Sequence, residues 1–481
     1  MEFNSLIFIF LFLPLFLTLY FFIASDLKNS FLIIASLVFY AWAKREAVFI
    51  LLILIFVNYY FSILISDGKV KSRSKKVYIF GVIFNISVLI FYKYLTFLLG
   101  LFGIKFHLEG LPFPTGISFI TFLSISYLTD IYRKVVPLKK KISSYMLYIS
   151  LFPKLITGPI TIYSAFEKQL GKRNINLNDI SEGVKRFITG LGKKVIIADT
   201  LAKTANGIFI IPSESLNFSL SWIGLAAYTL QIYYDFSGYS DMAIGLGKMI
   251  GFNIPENFNF PYSSRSIKDF WNRWHITLGI WLKTYIFFPI AYSVMRMTGK
   301  SRILHIKIEN IAYLTGIILT FFLCGVWHGA AWTFILWGTY YGVLLAIEHI
   351  GVRKFAKRNL PGFVRTIITL FFVMIGWVFF RSPDLKYSLN YIGNLFGFGG
   401  KFPVPIGSEF FLNREFILIS SLAIFGSFPI FKMINGIISK TFRRSLFLYT
   451  VLENIFYLSV FIVSIMAITG GTYKPFIYFR F

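Results

Sequence analysis

The chain has 481 residues, of which 56% are hydrophobic and 14% charged, and its formal net charge is +27. Its mean hydropathy is +0.69, and apolar runs recur from residue 5 to residue 470 without the polar linkers that separate soluble domains. These properties exclude a soluble multidomain protein and predict a polytopic integral membrane protein. Because Cys324 is the only cysteine, an internal disulfide and a cysteine metal site are also excluded.

The candidate membrane spans follow one another along the whole chain. Several are short for a bilayer of about 30 Å, so we expect some tilted, re-entrant or interfacial helices among them. The run Leu6–Ile23 has no basic flank or small-residue cleavage site, which favours a retained first helix over a signal peptide. The predicted spans are 5–24, 30–43, 47–66, 77–98, 114–132, 219–234, 276–297, 311–327, 331–350, 364–380, 415–432 and 446–470.

The positive charge lies mainly in short connectors between these spans, which is typical of cytoplasmic loops. It therefore predicts contact with anionic lipid and does not favour a nucleic-acid partner. The two strongest clusters place the first loops inside and the N-terminus outside, while 102–115 and 393–407 are predicted outer loops. The basic connectors are 67–76, 133–142, 353–358 and 440–444.

The middle third differs in character from the rest of the chain. Residues 153–200 contain prolines, glycines and lysines, and residues 235–275 contain Asp235, Asp241 and Glu256 between apolar flanks. Charges and irregular backbone at membrane depth must be shielded by protein or face water. This stretch predicts a polar chamber or funnel inside a ring of helices.

Two of the five histidines occur in unusual surroundings. His328, in LCGVWHGAAW (323–332), lies between two apolar runs, and His275 closes WNRWH (271–275). Two interpretations of His328 stay open: a packed imidazole bonded to a backbone carbonyl, or a general base for a hydroxyl acceptor. Gly325 and Gly329 favour the second, because they allow close backbone approach and an opening beside the ring. His107, His305 and His349 are assigned no role, and no metal ligand set is predicted.

Four segments occur in this order along the chain: FPKLITGPI (152–160), DFSGYSDMAIGLGKMIGFNIPENFNFPY (235–262), RSIKDFWNRWHITLGIWL (265–282) and CGVWHGAAWTFILWG (324–338). They resemble the membrane-bound O-acyltransferase (MBOAT) family, and among its members the alginate O-acetyltransferase-type bacterial branch. The C-terminal stretch 473–481 resembles that branch as well. Where the branch has an acidic, glycine-containing loop, residues 283–295 read KTYIFFPIAYSVM, which leaves the shape of that loop open.

The resemblance implies an all-α membrane fold, a ring of about 11–12 transmembrane helices around a central funnel. It implies one domain over 1–481, with N-terminal helices in 1–142, a catalytic core in 143–350 and C-terminal helices in 351–481. It implies that His328 and His275 are catalytic. His328 would act as the general base or carry a transient acyl group, and His275 would bind the acyl carbonyl or orient the acceptor.

The resemblance also implies the substrates and the location. The donor would be acetyl-CoA, used as a co-substrate with no permanently bound cofactor, and the acceptor an extracytoplasmic glycan. An SGNH-hydrolase-like partner would complete the transfer, and the enzyme would lie in a bacterial inner membrane. Arg265, Arg273 and Lys283 are candidates for the CoA phosphates, although basic side chains also extend towards the interface for solvation alone.

Two other functions stay open at this stage. One is D-alanyl transfer to teichoic acid from a carrier-protein thioester, within the same family. The other is a transporter or flippase in which the charged middle third lines a substrate path. For Asp235 and Asp241 we favour a structural role, because buried, paired carboxylates are often structural.

Overall fold

The computed structural model describes residues 1–42, 44–67, 71–104, 106, 113–139, 141–171, 173–298, 301–303, 306–400, 407–430, 436 and 446–471. Several parts of the sequence analysis lie outside them. These are His107, His305, the C-terminal stretch 473–481, the basic connector 440–444 and parts of the predicted outer loops 102–115 and 393–407.

The described chain forms two compact units. The first consists of Met1–Phe187 and Tyr239–Glu256, and the second of Ile188–Gly238 and the described chain from Asn257 onward. Two helices, Leu177–Gly192 and Phe218–Met249, contribute residues to both. The other α-helices of the first unit are Leu13–Phe22, Lys28–Ala41, Arg45–Ser66, Lys71–Leu89, Leu95–Leu101, Ile117–Tyr132, Ile142–Ser150, Phe152–Leu155 and Tyr163–Glu167.

The described part of the second unit consists mainly of helices, together with one pair of two-residue strands. Its strands Arg302–Ile303 and Ile306–Lys307 pair antiparallel. Short π-helical segments join successive helices, for example Lys283–Phe287 and Glu348–Val352. The remaining α-helices are Asp199–Phe209, Ile267–Trp271, Ile276–Leu282, Phe288–Thr298, Ile308–His328, Trp332–Ile347, Arg353–Asn359, Gly362–Arg381, Leu385–Leu395, Ser408–Phe411, Arg414–Gly426 and Leu446–Gly470.

Within the described residues, seven helices are long and apolar enough to cross a membrane. Two shorter apolar helices, Phe8–Phe22 and Ile117–Tyr132, accompany them. The prediction of an all-α polytopic membrane protein is thereby confirmed. The seven helices are Arg45–Ser66, Lys71–Leu101, Ile276–Met297, Ile308–His328, Trp332–Val352, Gly362–Arg381 and Phe447–Gly470.

The expectation of irregular backbone through 235–275 is wrong in its first part. The helix Phe218–Met249 runs on through the charged stretch, well beyond the predicted end at 234. Its two carboxylates are compensated by cations: Asp235 lies 2.7 Å from the ammonium of Lys194, and Asp241 lies 2.6 Å from the guanidinium of Arg186. Because the buried charges are paired, the backbone can stay helical, and the favoured structural role of both carboxylates fits this arrangement.

Two long apolar helices of the first unit, Arg45–Ser66 and Lys71–Leu89, are joined by a buried amide pair. Asn58 Nδ2 donates to Asn85 Oδ1 at 3.1 Å, and Asn85 Nδ2 donates to Asn58 Oδ1 at 2.6 Å. Both side chains are buried. In an apolar environment such reciprocal bonds fix which faces of two helices meet, because any other contact leaves amides unsatisfied.

Candidate active site

His328 is the last residue of the helix Ile308–His328, which is followed after a three-residue connector by Trp332–Ile347. Such a short connection makes the two helices antiparallel neighbours. Their backbones approach closely at a pair of glycines: a Cβ on Gly338 would lie 2.8 Å from the Cα of Gly325. The close approach predicted for Gly325 is therefore confirmed, since only a glycine pair permits it.

The imidazole of His328 is buried against aromatic rings. Its centroid lies 4.8 Å from those of Trp327 and Trp337 and 5.2 Å from that of Phe380, all in edge-to-face geometry. The predicted opening on the Gly329 side is wrong, because a Cβ at Gly329 would collide with the ring of Phe334. The glycine there makes room for the ring of Phe334, so aromatic side chains pack closely around this end of the helix.

His275 is placed by a short backbone pairing across the polar stretch. Phe258 and Trp274 form an antiparallel bridge, and the N–H of Asn259 donates to the carbonyl of Arg273 at 3.0 Å. The N–H of Ile276 donates to the carbonyl of Asn257, also at 3.0 Å. His275 itself has a left-handed backbone with φ of +46°, a strained conformation that marks the turn into the helix Ile276–Leu282.

The ring of His275 is only 1% exposed, and its two nitrogens have different surroundings. Nδ1 lies 3.1 Å from the side-chain oxygen of Asn257. Nε2 is buried without a hydrogen-bond partner among the described residues. Burial lowers the pKa of His275 to about 3, so the ring is neutral at physiological pH. The site therefore holds an imidazole with one nitrogen bonded and the other buried without a described partner.

A continuous series of ring contacts connects the two histidines. His275 contacts Phe236, which contacts Phe258, which in turn contacts Trp274. From there Trp274 contacts Trp377 at 4.8 Å, and Trp377 contacts Phe380, a neighbour of His328. The series is made of Phe236, Phe258, Trp274, Trp377 and Phe380. Both predicted catalytic residues thus belong to one aromatic core of the second unit.

The three predicted CoA-binding cations divide into two groups. Arg265 and Arg273 both contact Asp269, but through different groups. The backbone N–H of Arg265 donates to the carboxylate at 3.1 Å, and the guanidinium of Arg273 donates to it at 2.8 Å. Lys283 lies on the next helical segment, with its ammonium 5.5 Å from the ring centroid of Phe288. Arg265 and Lys283 are exposed and Arg273 is partly exposed, so all three stay candidates for phosphate contacts.

The segment that departs from the family pattern, KTYIFFPIAYSVM, forms no loop. It is helical, with a π-helical turn over Lys283–Phe287 that continues into the helix Phe288–Thr298. The segment has no acid or glycine, and its one proline, Pro289, lies just after the π-helical turn, near the start of the next helix. Such π-helical turns often mark functional sites.

Two residues that hold His275, or the short helix before it, were missed by the sequence analysis. Asn257 faces Nδ1 of the ring, and Glu348 accepts hydrogen bonds from the N–H groups of Ile267 and Lys268 at 2.6 and 3.0 Å. Glu348 thereby caps the short helix that leads to His275. Neither lies near its partner in sequence, so spacing contained no signal for them.

The first unit contains a buried lysine in the motif segment 152–160. Lys154 is 2% exposed, and its ammonium has no hydrogen-bond partner among the described residues. Its nitrogen lies 4.1 Å from the ring centroid of Tyr148 and 4.8 Å from that of Phe166. A cation–π contact gives about 2 kcal/mol, whereas desolvating an ion costs several. Desolvation outweighs the contact, and burial lowers the pKa of Lys154 well below its ordinary value.

We expect Lys154→Met to raise the thermal stability of the detergent-solubilised protein by about 1 kcal/mol or more at pH 7. The unfolded lysine binds a proton below its ordinary pKa of 10.5 and the native one does not, so the native state loses stability as the pH falls from 10.5. The gain from methionine should therefore shrink as the pH rises towards 10.5.

The measurement is the thermal unfolding midpoint at pH 7 and pH 9.5, with the exposed Lys168→Met as the matched control. Lys168→Met should leave the midpoint unchanged at both pH values. A lower midpoint for Lys154→Met would contradict the expectation, because it would mean that the two rings hold a charged ammonium.

Comparison with known proteins agrees with these features. Residues 139–383 match the membrane-bound O-acyltransferase family. A probable alginate O-acetylase of Pseudomonas aeruginosa is 38% identical over 83% of this chain and 75% of its own length. A peptidoglycan O-acetyltransferase of Helicobacter pylori is 34% identical over 93% of this chain and 90% of its own. A teichoic acid D-alanyltransferase of Bacillus subtilis is 30% identical over 56% and 69%.

The match to the family covers half of the chain, including both histidines and the helices that position them. Relatives similar over most of the chain extend the likeness beyond that region. Together with the apolar helices, these findings show a multi-pass membrane enzyme that transfers acyl groups to oxygen. The chain belongs to the membrane-bound O-acyltransferase family.

Proposed function

We propose that this enzyme passes an acetyl group from cytosolic acetyl-CoA across the membrane to hydroxyl groups of an extracytoplasmic cell-envelope or exopolysaccharide glycan. The observation that carries the proposal is the extent of the likeness to O-acetyltransferases. The two such relatives match 83% and 93% of the chain, whereas the D-alanyltransferase matches 56%. D-Alanyl transfer is therefore the second candidate.

The proposed chemistry centres on His328. An acceptor hydroxyl attacks the thioester carbonyl, the carbon–sulfur bond breaks, and the hydroxyl proton passes through the imidazole to the departing thiolate. A neutral imidazole can accept that proton, and the rings of Trp327, Trp337 and Phe380 exclude competing water from it. A transient acyl-imidazole is the alternative route through the same residue. His275 either binds the acyl carbonyl or orients the acceptor.

The size and charge of CoA explain why the transfer needs a membrane enzyme. CoA is large and anionic and cannot enter the hydrocarbon region at low cost, while its acetyl group is small. In the proposal the thioester arm enters from the cytosol, and the acceptor approaches from the other side. Arg265, Arg273 and Lys283 would contact the CoA phosphates, since guanidinium and ammonium groups bind phosphate well. No permanently bound cofactor is required.

The proposal places the enzyme in a bacterial inner membrane, in contact with lipid through its exposed apolar helix faces. It also includes an extracytoplasmic partner of the SGNH-hydrolase type, which would receive the acetyl group or complete its transfer to the glycan. The reason for proposing a partner is the resemblance to the alginate O-acetyltransferase-type branch, in which such a protein commonly completes the transfer.

The choice of donor is tested with the enzyme in sealed vesicles. We expect radiolabelled acetyl-CoA on the cytoplasmic face to label a glycan acceptor on the opposite face, and a D-alanyl carrier-protein thioester to give no labelling. The reason is that the likeness to O-acetyltransferases extends over more of the chain. Labelling should increase when the extracytoplasmic partner is added.

Labelling from the carrier-protein thioester alone would replace this proposal with D-alanyl transfer. Movement of intact acetyl-CoA or glycan across the vesicle without transfer of the acetyl group would support the transporter interpretation instead. The matched control is the same vesicle containing His328→Ala, which should not transfer label under either donor.

A further inference from the structure

The side-chain oxygen of Asn257 lies at the centre of three hydrogen bonds. It is 3.1 Å from His275 Nδ1, 3.2 Å from the backbone nitrogen of Thr277 and 2.8 Å from Thr277 Oγ1. A backbone N–H can only donate, so the atom that faces Thr277 must be the amide oxygen and not its nitrogen. The orientation of the Asn257 amide follows from this bond alone.

The amide orientation fixes the tautomer of the neighbouring imidazole. An oxygen accepts, so Nδ1 of His275 must carry the proton that it shares with Asn257. In a neutral ring the other nitrogen, Nε2, then holds a lone pair and no proton. Since Nε2 is buried without a described partner, its lone pair is available to a ligand that donates a hydrogen bond.

The Nδ1–H tautomer decides between the two roles left open for His275, which are binding the acyl carbonyl and orienting the acceptor. A thioester carbonyl offers only lone pairs, which repel the lone pair of Nε2. A hydroxyl group offers a proton and forms a hydrogen bond with it. The neutral ring is therefore suited to the acceptor and unsuited to the acyl carbonyl.

We infer that Asn257 is a positioning residue that holds His275 as the Nδ1–H tautomer, and that His275 Nε2 binds a hydroxyl group of the acyl acceptor. The inference rests on the proposed function, because it concerns the acceptor of that reaction. A hydroxyl has one proton, and the reacting hydroxyl gives its proton to His328. His275 therefore binds a neighbouring hydroxyl, which makes the acceptor a polyol such as a sugar ring.

The test compares Asn257→Leu with Asn257→Asp in membranes supplied with radiolabelled acetyl-CoA and a mannuronate oligosaccharide or a muropeptide. Leucine removes the accepting oxygen and lets the ring adopt the other tautomer. We expect the KM for the oligosaccharide to rise by about tenfold, the equivalent of one lost hydrogen bond, with little change in binding of labelled acetyl-CoA. Aspartate keeps an accepting oxygen at the same position and should restore most of the transfer.

The exposed Asn174→Leu, outside the segments that position the two histidines, is the matched control and should behave as wild type. Folding is checked for each variant by size-exclusion chromatography and the thermal midpoint. Asn257→Leu with an unchanged KM would overturn the inference, and so would a fall in kcat alone, which is expected of a carbonyl contact. If wild-type membranes transfer label to neither the oligosaccharide nor the muropeptide, and so do not differ from His275→Ala membranes, the proposed function itself fails.

Discussion

The His328→Ala variant is expected to lose acyl transfer to the glycan by about 10²- to 10⁴-fold, the contribution of a positioned general base. The alanine side chain has no group that can accept the hydroxyl proton, and no other proton acceptor is assigned at this position. Expression and membrane insertion should remain, because the helix Ile308–His328 ends at this residue and keeps its apolar surface. The measurement is the initial rate of label transfer from acetyl-CoA.

His328→Gln provides a second variant with less loss of volume between the aromatic rings, and it should be equally inactive. His349→Ala is the matched control, because His349 lies in the same unit, bonds to Asn310 and stacks on Tyr313. It should keep wild-type activity. Normal transfer by either His328 variant would remove this residue from the mechanism, whatever the effect at His275.

The second large effect is expected at the buried ion pairs of Lys194. Its ammonium, 2% exposed, lies 2.7 Å from Asp235 and 2.9 Å from Asp199. Burial by itself lowers the pKa of Lys194, but the two carboxylates outweigh it and raise that pKa above its ordinary value. Lys194→Met removes the cation and leaves the buried Asp235 carboxylate without it, which should cost about 3–5 kcal/mol of stability.

The stabilities of the variants and the wild type are compared by titrating each detergent-solubilised protein with SDS and following the loss of helix. Lys194→Met combined with Asp235→Leu should cost less than the sum of the single changes, since the double variant removes both buried charges. Lys203→Met is the matched control, because its pair with Glu415 is exposed and should contribute at most about 1 kcal/mol. Equal losses for Lys194→Met and Lys203→Met would contradict the expected importance of burial.

Most of the membrane architecture could be predicted from local sequence. Spans such as 276–297 and 364–380 agree closely with helices of the structure, because a helix that crosses a bilayer must be long and apolar. The charged stretch from Asp235 to Met249 was the main exception. Its carboxylates are compatible with a buried helix only because cations pair with them, and Lys194 lies 41 residues from Asp235.

The candidate site, too, could be predicted only in part from the sequence. The segment around His328 shows a polar ring between apolar runs, and the resemblance to a known family identified both histidines. Neither observation indicated that Phe334 fills the space beside Gly329, because that contact depends on how two helices cross. Nor did they indicate that Asn257 would face His275, since the bridge between Phe258 and Trp274 forms only when the chain folds back.

The sequence by itself determined the membrane class and the positions of most helices, because hydrophobic length is a property of short segments. Tertiary structure alone decided which cation neutralises which carboxylate, which rings enclose His328 and which tautomer His275 adopts. Each of these depends on distances of a few ångströms between residues far apart in the chain, and hydrogen bonds and ion pairs weaken steeply beyond that range.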